Sequence, residues 1–495
     1  MVFQNDILAG SSGGSGTSTA VHTIGQSIRF NSADDGNMYR VVGSGGNTKT
    51  WTFSGWFKLG LLGSKRSASP FIWSGYQDGS NRLQLMFDNA VGTGAAGDFL
   101  CLYSSTSGNI FQTTRVFRDP SAWYHIVVVS DTSNAVASER IRLYINGVRE
   151  TSFSTINYPS LNADLAWNKD GSTWYLGKYY SGSGSGTYNY DGYMAELVNL
   201  DGTATDCNSF GEFSSGIWIP KDVSGLTFGN KGWYIDGRDS ADLGDDESGN
   251  NNDFTTSGIA AHDQVSDSPT NNFAVFNPVM TNDADFEFSE GNLKLDMNTN
   301  KSWYVGAGAS MSMTSGKWYW ESYWNSGDQY TIWGILDTEQ LHALAGSSGS
   351  TTIYSLNFNG IQPNTSGTND QYRQGASVVA TGQGGSPGGI WQFALDMDNK
   401  KMWLGYNGTW VGSGDPSGGT NETWSSTYIA SSSYTPANAG YQISQHSILT
   451  YNFGQEGTFA GNITAGNNSD GNGIGNFKYS VPSGYKALCT RNLGS

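Results

Sequence analysis

The sequence predicts an all-β protein built as two jelly-roll sandwiches in tandem. Three observations predict it. The 495 residues include 67 Gly, 26 Tyr, 23 Phe and 17 Trp, and aromatic residues suit a pleated, half-buried surface while Gly suits the turns between strands. A strand that runs into Asn-Gly and out into a second strand occurs twice, at Asn146-Gly147 and at Asn407-Gly408, and both residues of such a turn tolerate positive φ. No extended helical heptad interrupts the strand-like runs, and the chain is too long for one hydrophobic core.

Four segments follow from the order of these signals. Residues 1–24 read as a tail: Met1 to Leu8 is mildly apolar, and Ser11 to Thr19 is a Ser/Gly-rich flexible linker. Residues 25–205 read as the first sandwich. Trp51 to Phe57 is an aromatic strand, and Trp123 to Ser130 has the continuous apolar run of a buried one. In Arg140 to Ile145 the alternation points Ile141, Leu143 and Ile145 inward and Arg140, Arg142 and Tyr144 outward. Residues 206–277 are less regular and are expected to complete the first sandwich, up to a break at Asn277-Pro278. Residues 278–495 read as the second sandwich with a C-terminal segment. Its strands are Gly316 to Trp324, Ile390 to Met397, Lys401 to Tyr406 and Ile448 to Gly454, and Gly457 to Gly475 is a loop.

The formal charge of −17 excludes nucleic acid as the expected partner, because phosphate recognition needs clustered Lys and Arg. Cys101, Cys207 and Cys489 have neither metal nor redox spacing and read as reduced thiols in or near the core. No apolar run approaches the roughly 20 residues that cross a bilayer. MVFQNDILAG lacks the basic and long apolar parts of a secretory signal. The expectation is a protein made in a cytoplasm that reaches any external site as part of a larger particle released by lysis.

Two resemblances add to this reading. WTFSGWF, WYHIVVVSD, RIRLYINGVRE and STWYLGKY…YDGYMAEL follow one another in the first half and resemble the laminin-G or pentraxin type of concanavalin A-like domain. In the second half SGKWYWESYW, IWGI, FALDMDNKKMWLGYNGTW and LTYNFG resemble a SPRY domain, a related bent sandwich. The connector DESGNNNDFTTSG…DSPTNNFAVFNP and the tail VPSGYKALCT are similar to segments of phage structural proteins that pair two such modules.

The sequence lacks the common catalytic patterns. A glycosidase needs two carboxylates flanking the scissile bond, and the E-x-D-x-x-E strand of retaining enzymes on this fold does not occur. Glu287 and Glu290, three apart, face opposite sides of a strand. Asp396 and Asp398 share a face but sit where the SPRY resemblance implies an acidic strand end leading into a hairpin. The histidines His22, His125, His262, His342 and His446 are isolated, and His125 reads as a packed strand residue. No catalytic residue is therefore assigned. Laminin-G-like and pentraxin relatives imply calcium, and Asp242, Asp245, Asp246, Glu247, Asn250 and Asp253 offer hard oxygen ligands in a turn-rich loop that does not match an EF-hand. The bland reading of that loop is an acidic, solvated surface, so the expected cofactor is none, with calcium left open.

Glycan recognition is the remaining candidate chemistry. A sugar's C–H face is apolar and its rim polar, so it docks on exposed rings beside hydrogen-bonding groups. Tyr179, Tyr180, Tyr188, Tyr190 and Asp191 bracket a Ser/Gly loop, and Tyr323, Trp324, Asn325 and Tyr330 lie at a strand end in the second half. The expected function is a non-enzymatic virion component on the particle surface. It would be tethered to other virion proteins by its N-terminal tail, form a homo-oligomer, and bind a host-surface glycan or protein. A polysaccharide-degrading enzyme on the same fold and a cellular SPRY-type adaptor are the alternatives.

Overall fold

The structure is a computed structural model that describes residues 21–62, 69–87, 97–180, 188–281, 286–297, 305–327, 331–345, 356–363, 370–382, 384–440 and 447–493. Strands dominate, and the one α-helix among these residues is the single turn Thr490–Leu493. The chain divides into two compact units, Met1–Asn271 and Asn272–Ser495. The division lies just before the expected break at Asn277-Pro278. The reason is local: Phe273 and Phe276 bridge to Cys489 and Ala309 and are fully buried, so the residues before the proline already belong to the second unit. The expected tail anchor, residues 1–20, lies outside the described residues.

In the first unit two antiparallel eight-stranded sheets face each other. The first sheet runs Val148–Arg149, Ile141–Ile145, Tyr124–Asp131, Thr50–Leu59, Gly192–Asp201, Ser27–Phe30, Gln264–Val265, with Trp233–Ile235 added to Gly192–Asp201. The second runs Phe153–Ile156, Gly108–Val116, Phe99–Ser104, Asn81–Phe87, Phe71–Asp78, Thr173–Leu176, Asn37–Val41, Thr255–Ser257. Alternate side chains of both sheets fill the space between them, and Trp73, Trp167 and Trp174 stack in sequence there, with centroids 4.1 and 4.8 Å apart. The segment after residue 205 supplies strands to both sheets through Trp233–Ile235, Thr255–Ser257 and Gln264–Val265.

That segment also covers the outer face of the first sheet, which alternation alone leaves to solvent. Tyr144, expected outside, is buried in a second apolar layer with Trp56, Val127, Val129, Phe210 and Trp218. Strand Tyr124–Asp131 is therefore sandwiched on both faces, which accounts for its unbroken Ile-Val-Val-Val run. Two buried ion pairs fasten the end of the unit to this sheet. Arg29 meets Asp263 at 3.0 Å, and Lys58 Nζ meets Asp267 Oδ2 at 2.7 Å with both side chains fully out of solvent.

The second unit repeats the two-sheet plan. One sheet runs Phe286–Ser289, Lys294–Met297, Ser447–Asn452, Lys317–Ser326, Ile390–Asp396, Lys401–Tyr406, Thr409–Trp410, with Lys486–Ala487 parallel to Lys317–Ser326. The other runs Val305–Gly308, Tyr434–Gly440, Thr331–Asp337, Phe358–Gln362, Asp370–Gln374, Ser377–Gly382. Glu321 lies at 0 % exposure on the first of these and accepts the backbone N–H groups of Lys478 and Tyr479, each at 2.8 Å, so it pins the C-terminal segment onto the sheet.

The two Asn-Gly hairpins are built alike. Asn146 and Gly147 have φ of 47° and 77°, and Asn407 and Gly408 have 47° and 83°, the doubly positive pair of a type I′ turn. In each, the Asn Oδ1 reaches back to the neighbouring strand, accepting from His125 N at 2.7 Å and from Ile390 N at 2.8 Å. Gly408 N in turn donates to Gln392 Oε1 at 2.7 Å.

Candidate functional site

The outer face of the second sheet of the first unit carries a ledge of tyrosines. Tyr39 and Tyr175 are direct cross-strand partners, and their rings stack at 5.6 Å. Tyr180, just past the end of strand Thr173–Leu176, stacks on Tyr175 at 4.7 Å and meets Tyr76 edge-on at 5.2 Å. Period-two alternation places Met38, Trp174 and Leu176 in the core and Tyr39 and Tyr175 on the opposite face. All four rings are half-buried: packed well enough to be fixed, yet open on one side. Thr173, registered opposite Tyr76, and Thr255, registered opposite Tyr39, bring hydroxyls to the same face. Fixed rings beside hydroxyls match the apolar face and polar rim of a sugar.

Of the residues expected here, only Tyr180 joins that ledge. Tyr179 turns onto Phe71 at 5.0 Å and Tyr188 at 5.4 Å, and its hydroxyl accepts from Arg82 at 3.1 Å. Tyr190 is a core residue at 0 % exposure, its hydroxyl donating to Lys58 O at 3.1 Å, so its ring offers no free face. Asp191 is buried and accepts from the hydroxyl of Ser32 at 2.9 Å. Spacing along one segment grouped these residues, whereas the ledge is assembled across three strands. Tyr39, Tyr76 and Tyr175 could have been found from the outward phase of their strands.

In the second unit Trp324 is likewise core, at 0 % exposure, its indole N–H held by Ser326 O at 2.9 Å. Asn325 accepts from Thr450 at 2.8 Å, and Tyr323 is half-buried beside Phe459. Tyr330 lies outside the described residues. Asp396 and Asp398, weighed for catalysis, hold turns together. Asp398 accepts from Gly316 N at 2.8 Å. Burial pushes the Asp396 carboxyl up, but hydrogen bonds from Asn399 and Lys317 outweigh it and hold it below the ordinary range.

The acidic loop is organised from within. Asp246 accepts the backbone N–H groups of Tyr234, Ser248 and Asn252 at 2.8, 3.0 and 2.8 Å, and Asp253 accepts that of Asp246 at 3.2 Å. Asp242 accepts from Gly244 N at 3.2 Å, and Asn250 Nδ2 donates to Gly229 O at 2.7 Å. Asp245 is exposed, while Glu247 contributes its backbone N–H to Tyr234 O. Among the described residues no three His, Cys, Asp or Glu side chains converge to hold a metal ion. Asp242, Asp246 and Asp253 direct carboxylate oxygens at amide hydrogens of the loop itself.

A site that motif reading passed over lies at the bulge in Gly192–Asp201. Glu196 takes φ of 49° where the register with Thr50–Leu59 slips. Its Oε1 meets His22 Nε2 at 2.6 Å and accepts from Tyr234 at 3.2 Å. With Asp222, Asp236 and Arg238 these groups line a cavity of about 460 Å³. Burial raises the Glu196 carboxyl against the opposing pull of His22, and the hydrogen bond to Glu196 raises the His22 imidazole. Isolated in sequence, His22 and Glu196 left no spacing signal.

Residues 17–206 match the family model described as the concanavalin A-like lectin/glucanases superfamily, of the laminin-G type. The first unit carries a concanavalin A-like domain. The tyrosine ledge lies within this domain, apart from Thr255, which the following segment adds at the sheet edge. No curated protein sequence matches the chain. Solved structures similar to it include the SPRY domain of human HERC1, at 15 % identity over 36 % of this chain and 96 % of that one, with a TM-score of 0.26. A heptameric SAP-like pentraxin from Limulus polyphemus is 14 % identical over 37 % of this chain and 79 % of its own, with a TM-score of 0.25. Domain 4 of the arabinanase AbnA from Geobacillus stearothermophilus, in complex with arabinotriose, is 18 % identical over 37 % and 71 %, with a TM-score of 0.23.

Proposed function

We propose that this protein is a non-enzymatic surface component of a phage particle whose concanavalin A-like domain binds a host-surface glycan through the tyrosine ledge. The observation that carries the reading is the stack of Tyr39, Tyr175 and Tyr180 with Tyr76 at its edge, fixed on adjacent strands and flanked by Thr173 and Thr255. Aromatic faces of this kind supply apolar area with little conformational entropy to lose. Residues 1–20 are the tether to other virion proteins, and copies held side by side turn weak single-site binding into avidity.

A glycan array probed with the full chain tests the binding. Retention of defined oligosaccharides by the parent and its loss in Tyr175→Ala and Tyr180→Ala, both still folded, is the expected result. An array on which the parent binds no glycan overturns it. The particle assignment is tested separately by deleting residues 1–20: the variant should fold and fail to enter particles, and normal incorporation would place the tether elsewhere. Release of reducing ends from a bound polysaccharide would favour the enzyme reading.

A further inference from the structure

We infer that Lys58 and Asp267 are the two halves of an intramolecular amide bond. Lys58 Nζ stands 2.7 Å from Asp267 Oδ2, and both side chains are at 0 % exposure. At that separation the nitrogen is about 3–3.5 Å from the carboxyl carbon, the range from which bonds form. The second carboxyl oxygen, Oδ1, accepts the indole N–H of Trp123 at 3.0 Å, a fixed donor placed where negative charge develops when an amine adds to the carboxyl. The Tyr193 ring lies 5.4 Å from Nζ, and Asp119 is a further carboxylate whose charge acts on it. Burial lowers the Lys58 amine towards its neutral, nucleophilic form, while Asp267 and Asp119 oppose that shift.

The step balances without any co-reactant. One proton passes from the ammonium to the carboxylate across the existing hydrogen bond, giving amine and carboxylic acid. The Nζ lone pair attacks Cγ, and the resulting oxyanion is held by Trp123. A second proton moves from nitrogen to the departing hydroxyl, the C–O bond breaks, and one water leaves. The product amide is neutral, so it removes two buried charges whose desolvation the ion pair must otherwise offset. Burial of both side chains away from solvent hinders the reverse hydrolysis.

Asp267 lies beyond the last strand of the first unit, Gln264–Val265, and Lys58 near the end of a central one. A covalent link between them closes most of the unit into a loop that pulling on the chain ends cannot open, a property that suits a protein loaded in shear.

Intact-mass measurement of the denatured full chain tests the inference. The expected mass is one water below that of the sequence, with a branched peptide joining Lys58 to the segment containing Asp267 after proteolysis. Lys58→Met should restore the full sequence mass. Asp267→Asn should form the same branched peptide with loss of ammonia. Since the parent alone is decisive, poor folding of a variant leaves the test intact: a parent at its full sequence mass, with Lys58 and Asp267 on separate peptides, overturns the inference.

Discussion

Trp218 donates its indole N–H to His125 Nδ1 at 3.0 Å, at the centre of the apolar layer that covers the first sheet. That bond fixes the tautomer, since an accepting Nδ1 leaves the proton on Nε2, where it meets Ser54 Oγ at 2.9 Å. Burial lowers the imidazole pKa to about 3. The group is thus neutral when folded and ionises near 6.5 when unfolded, so its contribution is complete above pH 6.5 and is lost as pH falls towards 3. Trp218→Phe keeps most of the ring but orphans a buried acceptor, and should cost about 1–3 kcal/mol in denaturant melts. The His125 ring should show no titration by NMR between about pH 5 and 8, the range in which an unperturbed histidine changes charge.

The two hairpin glycines should differ in tolerance. Substitution to Val forces a β-branched residue to positive φ at either site, at about 1–3 kcal/mol. At Gly147 a Cβ would also lie 2.1 Å from the Trp218 ring, whereas at Gly408 the nearest atom is a Tyr479 ring carbon at 2.9 Å. Gly147→Val should therefore lower the melting temperature more than Gly408→Val, and equal shifts would contradict the packing.

Glu321 predicts the opposite pH slope to His125. Burial pushes its carboxyl up to about 7, against the hydrogen bonds it receives from Lys478, Tyr479 and Tyr319. A carboxyl raised above its unfolded value of 4.5 favours folding most below that pH and loses the contribution as pH rises through about 7. The second unit should lose about 3 kcal/mol across that window. Glu321→Gln should flatten the dependence, and it should lower stability at acid pH by about 1–3 kcal/mol because one accepting oxygen becomes a donor facing N–H groups. Denaturant midpoints at the two ends of the window measure both effects.

Asp246 serves its loop through three amide hydrogens, so Asp246→Ala should destabilise the first unit by about 2–4 kcal/mol, since charged acceptors contribute more than neutral ones. Chelator should leave the melting temperature of the parent unchanged; a fall in EDTA that calcium reverses would return the loop to the role of an ion site.

The fold was legible because its signals are local. Alternation marked the strands of both units, and Asn-Gly marked both hairpins, because the doubly positive φ of the turn is a preference of those two residues themselves. What escaped was set by distant chain. Tyr144 reads as outward until Phe210 and Trp218 arrive to cover it. Tyr190 and Trp324 read as free rings because sequence shows that a ring lies near a loop but not whether it turns inward. The ledge joins Tyr39, Tyr76 and Tyr175 from three strands, and the His22–Glu196 contact spans 174 positions. No window along the chain contains such pairs.

The hairpin turns also bear on how the protein ages. Asn followed by Gly is the dipeptide most prone to lose its side-chain amide, because the Gly nitrogen can attack the Asn Cγ to form a cyclic imide. In the folded chain Gly408 N is committed to Gln392, Asn407 Oδ1 is held by Ile390 N, and Asn146 Oδ1 is held by His125 N. Ring closure must break these bonds and swing the side chain out of the position they fix. Deamidation at both turns is thereby tied to the rare moments when a hairpin opens, and its rate becomes a clock for local unfolding.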